Sequence, residues 1–275
     1  MHFYFQVGTF RLPGYSLMII IGLLTGNFLV WLFGKRWKLS FNDFIILEAY
    51  TFLGAMIGAK GLYLFVARDQ IQWNRFFEPE YFQMIMKGGF VFYGGLILGF
   101  AAFLLAGKIH KIDAFAYIRR LLFVVPYIHG FGRLGCFMAG CCYGCPYDGL
   151  GAVVFPEGSM APAGIPLFPV QLVEAMLLFV LAGLLLLLAG RFTSAMQPVA
   201  LYFGAYAVIR FALEYFRYDD AERGGFAWFS TSQWISIGVA AALFFVFGLR
   251  LFLKKRKKSV VRERLQKENQ KTEHL

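Results

Sequence analysis

One stretch of the chain, residues 129–146, collects side chains that could do chemistry. It reads HGFGRLGCFMAGCCYGCP and contains His129, Arg133 and all four cysteines of the protein. Apolar segments flank it on both sides, and an arginine close to hydrocarbon is costly unless it is paired or faces water. Glycines at 130, 132, 135, 140 and 144 allow the backbone to bend and to approach other groups closely. We therefore expect the functional site to be built around this stretch.

The four cysteines of this stretch follow a C-x4-C-C-x2-C pattern, at positions 136, 141, 142 and 145. Four thiolates are the ligand set of structural zinc and iron–sulfur sites. Such zinc sites usually take two close pairs from separate segments, however, and the adjacent Cys141 and Cys142 would bind one ion awkwardly. Cysteine also packs well as a small apolar residue. We favour packing or lining of the site over a disulfide, a redox role or a metal, and predict no metal site.

Charged side chains also interrupt two later apolar runs. Arg210, Glu214 and, nearly, Arg217 share one helical face through i, i+4, i+7 spacing. Glu174 follows Gln171 near the start of an earlier run. The plainer alternative is a structural ion pair at a helix end. Because the planar guanidinium of arginine grips phosphate well, arginines and acids at similar depth predict a polar site for a phospholipid headgroup.

Three further residues are weak signals when each is taken alone. Tyr93 precedes Gly94 and Gly95, a pair that favours close helix packing, although the tyrosine could donate a hydrogen bond into the site. Tyr15 lies near the start of the first apolar run, where tyrosine is common. A lone histidine such as His129 is more often structural, although histidine suits proton transfer near neutral pH. We keep all three as candidates for the site.

Composition and hydropathy place these residues in a membrane protein. The chain has 275 residues, of which 59% are hydrophobic and only 16% charged. Basic groups at 34–38, 107–111 and 254–258 share one side of the membrane if the N-terminus is outside, in accord with the positive-inside rule. We predict an all-α integral membrane protein with about seven transmembrane helices, an external N-terminus and a cytoplasmic C-terminus. The predicted spans are 15–34, 44–66, 88–106, 114–137, 169–190, 198–217 and 231–253, each near the roughly 20 residues that cross a bilayer.

The chain is predicted to divide into a polytopic membrane catalytic domain, residues 1–253, and a basic cytoplasmic tail, residues 254–275. The tail carries nine lysines or arginines against three glutamates. The net charge of +11 lies mostly at the ends of apolar runs and in this tail, which indicates contact with membrane lipid and no nucleic-acid partner. The first run lacks a basic segment before it and a small-residue cleavage site after it, so we expect it to remain as a helix.

Taken together, these motifs resemble the phosphatidylglycerol–prolipoprotein diacylglyceryl transferase family of bacterial inner membranes, over most of residues 10–253. The most specific part is Gly132-Arg133-Leu-Gly135-x-Phe137, continuing to Gly140 and Gly144. Supporting matches occur on the six other predicted helices: Tyr15-Ser-Leu-Met18, Gly58-Ala59-Lys60, Gly94-Gly95, Pro169-x-Gln171-Leu-x-Glu174, Arg210-x3-Glu214-x2-Arg217 and Ser232-Gln233. Any one match is weak, and the whole set is specific.

The resemblance implies a reaction and a site. A diacylglyceryl group would leave phosphatidylglycerol and form a thioether with the lipobox cysteine of a preprolipoprotein, which releases glycerol phosphate. This would occur in the bacterial cytoplasmic membrane, with the site towards its outer face, and without a cofactor or metal. Arg133 and Arg210 would bind the phosphate, and Glu214 would orient Arg210. The residues implied in substrate binding are Tyr15, Gly94, Gly95, Gly132, Gly135, Cys136, Gly144, Gln171, Glu174 and Arg217.

Three positions depart from the family pattern. Tyr93 stands where the family usually has histidine, Cys136 where it has asparagine, and Cys141 where it has an acid. The usual candidate for the base is therefore missing, although the incoming thiol must become a thiolate before it attacks carbon. We expect His129, or Tyr93 with help from Glu214, to take its place.

Two other classes of function, and one variant of this function, stay open at the level of sequence. A membrane thiol–disulfide oxidoreductase would use the C-x-x-C of Cys142 and Cys145, although redox chemistry does not require arginine–acid pairs. A lipid or anion carrier would use the same basic site, yet the chain shows no inverted repeat of the kind that carriers often have. A divergent transferase would join the diacylglyceryl group to a different acceptor.

Overall fold

The computed structural model describes residues 4–7, 10–218, 225–226 and 228–249. The α-helices in these ranges are α1 (Gly14–Gly34), α2 (Phe41–Val66), α3 (Pro79–Lys87), α4 (Phe92–Ile109), α5 (Ala114–Leu121), α6 (Val124–Ala139), α7 (Val170–Leu188), α8 (Met196–Leu213) and α9 (Thr231–Leu249). The strands form three short antiparallel pairs: β1 (Tyr4–Val7) with β2 (Phe10–Pro13), β3 (Val153–Val154) with β4 (Pro166–Leu167), and β5 (Gly225–Phe226) with β6 (Phe229–Ser230). The basic tail predicted at 254–275 lies outside the described residues.

The long helices are membrane spans. Six of them are long and apolar enough to cross a bilayer, and a seventh span results if α5 and α6 are counted as one. Side-chain caps mark where helices begin: the Ser40 hydroxyl accepts from the Asp43 N–H, and the Asp113 carboxylate accepts from the Ala116 N–H. The protein is therefore an all-α, multi-pass membrane protein, as the sequence predicts.

The fourth predicted span, 114–137, is not one continuous helix. α5 ends at Leu121 and α6 begins at Val124. Pro126 accounts for the break, because proline has no N–H for the carbonyl of Leu122 and its ring would clash with that carbonyl. Pro126 instead occupies the first turn of α6, where backbone N–H groups have no partner within the helix. A new helix thus starts just before the stretch that holds the candidate residues.

The chain forms two compact units. The first unit comprises Met1–Leu23, Val125–Leu185 and Val199–Leu275, and the second comprises Leu24–Val124 and Leu186–Pro198. Residues 129–146 belong to the first unit. Tyr93 and the two glycines after it belong to the second.

Glycines hold the second unit together where α2 meets α4. A Cβ added at Gly58 would clash with the carbonyl oxygen of Gly94, and a Cβ at Gly94 would clash with that of Gly58. Gly95 lies against the backbone of Ala55 in the same way, with 3.1 Å between the position of its missing Cβ and the Ala55 oxygen. The close packing considered for Gly94 and Gly95 is therefore what the structure shows. A role for these two glycines in binding substrate stays a prediction.

A buried lysine of α2 binds the end of α3 and the turn between α3 and α4. Lys60 is 8% exposed, and its Nζ donates to the carbonyls of Ile85, Gly88 and Gly89 at 2.8, 2.5 and 3.1 Å. Backbone carbonyls at the end of a helix lack partners within that helix, so a cation there is stabilising. Lys60 thereby fixes the turn that leads into α4.

We expect Gly58→Ala to lower the melting temperature of the protein in detergent, because the added methyl group must push α2 and α4 apart. Overpacking of this kind costs about 1–3 kcal/mol. Gly61→Ala is the matched control on the same helix, since nothing lies within 4 Å of its added Cβ, and alanine there should leave the melting temperature unchanged or raise it. Equal melting temperatures for the two variants would contradict this account of the packing.

Candidate active site

α6 carries three candidate residues on one face. His129, Arg133 and Cys136 follow one another at intervals of four and three residues, which places them on the same side of the helix. Gly135 brings α1 close to this helix, because a Cβ there would lie 2.9 Å from the Tyr15 ring and 3.2 Å from its carbonyl oxygen. Gly132 is different: the nearest atom to its added Cβ is a methyl carbon 3.6 Å away, an ordinary contact.

The first ion pair of the site joins Arg133 to Glu174 of α7. The Arg133 Nε lies 3.0 Å from the Glu174 Oε1, and the two side chains are only 16% and 3% exposed. Tyr206 of α8 completes the group: its hydroxyl donates to the same Glu174 oxygen at 3.0 Å and accepts from Arg133 Nη2 at 3.5 Å. Three helices therefore meet at one buried charge pair, and each partner satisfies the other's charge.

The second ion pair lies at the end of α8. Arg210 Nη2 is 2.8 Å from Glu214 Oε2, with the side chains 11% and 2% exposed, and it also donates to the Ser232 hydroxyl at 2.9 Å. This contact confirms that Arg210 and Glu214 share one helical face, as their four-residue spacing predicts. The other terminal nitrogen, Arg210 Nη1, is buried and has no hydrogen-bond partner among the residues that the structure describes.

Arg217 does not continue the helical face on which the sequence placed it. α8 ends at Leu213, a 3-10 turn follows at Glu214–Phe216, and Arg217 is extended. The helix ends here because the chain pairs with the loop after α6: the Tyr218 N–H donates to the Tyr143 carbonyl at 3.2 Å, and Gly144 bridges Arg217. Arg217 thereby comes within electrostatic reach of the Cys142 thiol.

Sequence reasoning missed two tyrosines of α8. The Tyr202 hydroxyl lies 3.4 Å from His129 Nδ1, and the ring centroids of Tyr206 and His129 are 4.9 Å apart. A signal for them was present, because positions 202, 206, 210 and 214 recur every four residues and fall on one helical face. The fields of Arg133 and Arg210 both reach the His129 ring. Tyr206 thus links the histidine to the Arg133–Glu174 ion pair.

The backbone after α6 brings three thiols together. Gly140 has a φ of 72°, its N–H donates to the Phe137 carbonyl, and the Cys141 N–H donates to the Cys136 carbonyl. These two bonds are the Schellman motif, which folds the chain back over the last turn of its helix. The sulfur atoms of Cys136, Cys141 and Cys142 consequently lie within 4.8 Å of one another.

Two further features hold this thiol cluster, which we define as Cys136, Cys141 and Cys142. Cys142 has a φ of 57°, a left-handed conformation that costs about 1–2 kcal/mol in a residue other than glycine. Gln171 of α7 is buried, and its amide donates to the Cys141 carbonyl at 2.8 Å. Hydrogen bonds from the other two thiols lower the pKa of the Cys142 thiol, and the charge of Arg217 acts in the same direction.

The fourth cysteine, Cys145, is fixed through its backbone. Its backbone N–H donates to the Phe216 carbonyl at 2.8 Å, and its own carbonyl accepts from the Phe168 N–H at 2.9 Å. The neighbouring Gly144 permits this pairing, because a Cβ there would run into the Phe168 carbonyl oxygen. All four cysteines are free thiols. The segment around Cys145 therefore serves as a backbone connection between the loops.

The structure gathers most of the candidate residues in the first unit. That unit holds Tyr15, His129, Gly132, Arg133, Gly135, Cys136, Gly144, Gln171, Glu174, Arg210, Glu214 and Arg217. Tyr15 lies within electrostatic reach of Arg133 and of the thiol cluster. Tyr93 lies on α4 in the second unit, where it is 45% exposed and its ring packs against Phe92.

The chain is similar to known transferases along most of its length. The family model described as prolipoprotein diacylglyceryl transferase matches residues 2–249. A phosphatidylglycerol–prolipoprotein diacylglyceryl transferase of Clostridium tetani is 32% identical over 91% of this chain and 98% of the relative. Enzymes of the same name from Photobacterium profundum and, with the suffix 2, from Clostridium perfringens are 31% and 28% identical, over 90% and 82% of this chain and 90% and 86% of the relatives. The match covers the helices that carry both ion pairs and the thiol cluster, and the chain belongs to the prolipoprotein diacylglyceryl transferase family.

Proposed function

We propose that this protein transfers the diacylglyceryl group of phosphatidylglycerol to the lipobox cysteine of preprolipoproteins. The product is a thioether, and glycerol phosphate is released. The observation that carries the proposal is the pair of buried arginine–glutamate contacts, Arg133–Glu174 and Arg210–Glu214, within one unit of a multi-pass membrane protein. The printed names of the relatives support the substrates. We place the enzyme in the bacterial cytoplasmic membrane, with its site towards the outer face.

The two arginines are suited to the phosphate of the donor lipid. Each guanidinium is already oriented by a carboxylate, so binding an anion requires little reorganisation. Arg210 Nη1 supplies a buried donor that no described residue uses. When the bond between the glycerol carbon and the phosphate oxygen breaks, negative charge grows on the phosphate, and fixed positive charge in a low-dielectric site stabilises it. We assign Arg133 and Arg210 this electrostatic role.

The acceptor thiol must lose its proton before it attacks the glycerol carbon. We propose His129 as the group that takes this proton, because it is within electrostatic reach of Arg133, Glu174 and Arg210 and is positioned by the Tyr202 hydroxyl. Tyr93, on α4, is the second candidate. The chain keeps neither the histidine nor the acid that the family usually carries at positions 93 and 141, so the proton must leave by a different route.

The rival functions gain less support. The oxidoreductase would need Cys142 to react with Cys145, yet the thiols that surround Cys142 are those of Cys136 and Cys141. Nearly the whole chain is also similar to proteins named as transferases. A transferase that uses the same donor lipid with a different acceptor is distinguished by measuring peptide modification and glycerol phosphate release together.

We expect the purified protein in phosphatidylglycerol liposomes to add a diacylglyceryl mass to a lipobox peptide and to release glycerol phosphate. Arg133→Ala should lower the rate about 10²–10³-fold, the usual effect of removing one group that stabilises the transition-state charge. Arg191→Ala is the matched control, since Arg191 is exposed after the end of α7, and its rate should be unchanged.

The outcomes separate the alternatives. Glycerol phosphate release without modification of the peptide would mean that the acceptor is a different molecule. If protein that retains its melting temperature forms neither the modified peptide nor glycerol phosphate, the result contradicts the proposed function.

We expect His129→Ala to lower turnover by about 10²-fold or more, because general base catalysis contributes at least that much. A positioning role alone would leave the shape of the pH–rate profile unchanged, whereas loss of the base should remove one limb of it. Tyr93→Phe should be nearly silent if His129 is the base. Unchanged turnover in both variants would show that neither residue takes the proton.

A further inference from the structure

The thiol cluster of Cys136, Cys141 and Cys142 has no part in the electrostatic role assigned to the arginines. Its three sulfur atoms lie within 4.8 Å of one another at the end of the helix that carries Arg133. The geometry invites comparison with metal sites, although the sequence pattern predicted none.

The spacing of the sulfur atoms suits a single ion. Tetrahedral Zn²⁺ binds thiolates at about 2.3 Å, which places neighbouring sulfurs about 3.8 Å apart. The sulfur atoms here are within 4.8 Å of one another, which exceeds that spacing by at most about 1 Å. The objection that adjacent cysteines bind one ion awkwardly is met by the left-handed backbone of Cys142, which turns its side chain back towards the helix end.

The number of ligands distinguishes a reactive site from a structural one. Structural zinc sites are closed by four protein ligands, whereas catalytic sites use three and keep the fourth position open. Among the described residues, the cluster comprises three ligand groups. The fourth cysteine of the pattern, Cys145, is held in backbone pairing with Phe168 and Phe216 and is not one of the three. No fourth group joins these three among the residues that the structure describes, so the fourth position can take a ligand from outside the chain.

The charges around the cluster favour an anionic metal centre. Three thiolates on a divalent ion carry one net negative charge. The field of Arg133 reaches Cys136 and Cys142, and that of Arg217 reaches Cys142. Thiolates are soft ligands, which select zinc and similar ions over magnesium or calcium. The site is therefore matched in charge and in ligand type to Zn²⁺.

We propose that Cys136, Cys141 and Cys142 bind one Zn²⁺ ion, and that its open position binds the acceptor cysteine as a thiolate. The inference rests on the proposed function, in which the zinc ion converts the acceptor thiol into the nucleophilic thiolate. Coordination to a metal deprotonates a thiol outright. The two substitutions that remove the family's asparagine and acid, at 136 and 141, supply two of the three ligands.

The step balances without a redox partner. The S–H bond of the acceptor breaks as its sulfur binds zinc, and the proton passes to His129. The sulfur then attacks the glycerol carbon of phosphatidylglycerol, so that an S–C bond forms. The bond between that carbon and the phosphate oxygen breaks, and its electron pair leaves with glycerol phosphate. The neutral thioether is a poorer ligand than a thiolate, which releases the product from the ion.

The metal site is tested first without turnover. We would purify the full chain with a reductant that does not bind metal, strip it with a chelator, and titrate it with Co²⁺ and Zn²⁺. We expect one ion per chain, with Co²⁺ giving thiolate charge-transfer absorption that Zn²⁺ displaces. The variant with Cys136→Ser, Cys141→Ser and Cys142→Ser should lose this binding, and Cys145→Ser should keep it. Absence of binding, or equal binding by the triple variant, would overturn the proposal. Melting temperatures show that each variant is folded, and Cys142→Ala alone should weaken binding if the triple variant does not fold.

The open position is tested with the acceptor. Adding a lipobox peptide to the Co²⁺-loaded protein should change the absorption, whereas the same peptide with serine in place of cysteine should not. Transfer should fall at least about 10-fold in chelated protein and return with Zn²⁺. An absorption spectrum that ignores the cysteine peptide, or full transfer by the metal-free protein, would overturn the proposal and leave the transferase function intact. Failure of transfer with and without Zn²⁺ would instead count against the function, while the Co²⁺ spectrum still reports on the metal site.

Discussion

The cost of placing charge inside a membrane is the constraint on which this site depends. Arg133 and Arg210 are each met by a glutamate, at 3.0 and 2.8 Å. Removing one partner of such a buried pair typically costs about 3–5 kcal/mol, because the other charge is left unpaired. That cost fixes which faces of α6, α7 and α8 can meet, since Glu174 must reach Arg133 and Tyr206 must reach both. The pairs are thus a structural requirement of the bundle, and they also leave the guanidinium groups oriented before any substrate binds.

A second requirement is that irregular backbone must satisfy its own hydrogen bonds. The segment after α6 does so by pairing with two others: the Cys145 N–H donates to Phe216, and the Phe168 N–H donates to Cys145. Gly144 makes the approach possible, because it has no Cβ to collide with the Phe168 carbonyl. The loop that carries Cys141 and Cys142 is therefore bonded on both sides. A loop that is over-determined in this way can hold a left-handed cysteine, which a freely moving loop would not retain.

Features that depend on local sequence were predicted correctly, and the errors arose where contacts between distant segments decide the structure. The spans followed from the length of apolar runs, and the Arg210–Glu214 pair followed from a spacing of four on one helix. The partner of Arg133 could not be read from spacing, because Glu174 lies on another helix and only packing brings the two together. The prediction that Arg217 continues the helical face is wrong because of another contact between distant segments. Pairing of residue 218 with Tyr143 ends the helix early, and no local signal marks that pairing. Pro126 did mark the break in the fourth span, and hydropathy alone overlooked it.

The cysteines show how one backbone angle changes the meaning of a pattern. Neighbouring side chains in an extended chain point in opposite directions, which is why the sequence predicts that the adjacent pair at 141 and 142 binds one ion awkwardly. The Schellman motif at Gly140 places Cys141 over Cys136, and the φ of 57° at Cys142 turns the next thiol to the same point. Cys136 and Cys141, which stand at two of the positions that depart from the family pattern, are both needed for three thiols to meet at the end of the helix that carries Arg133. In the reaction of this family a thiol attacks carbon. Soft thiolate donors can bind a metal ion, and a metal ion can bind the attacking thiol as its thiolate.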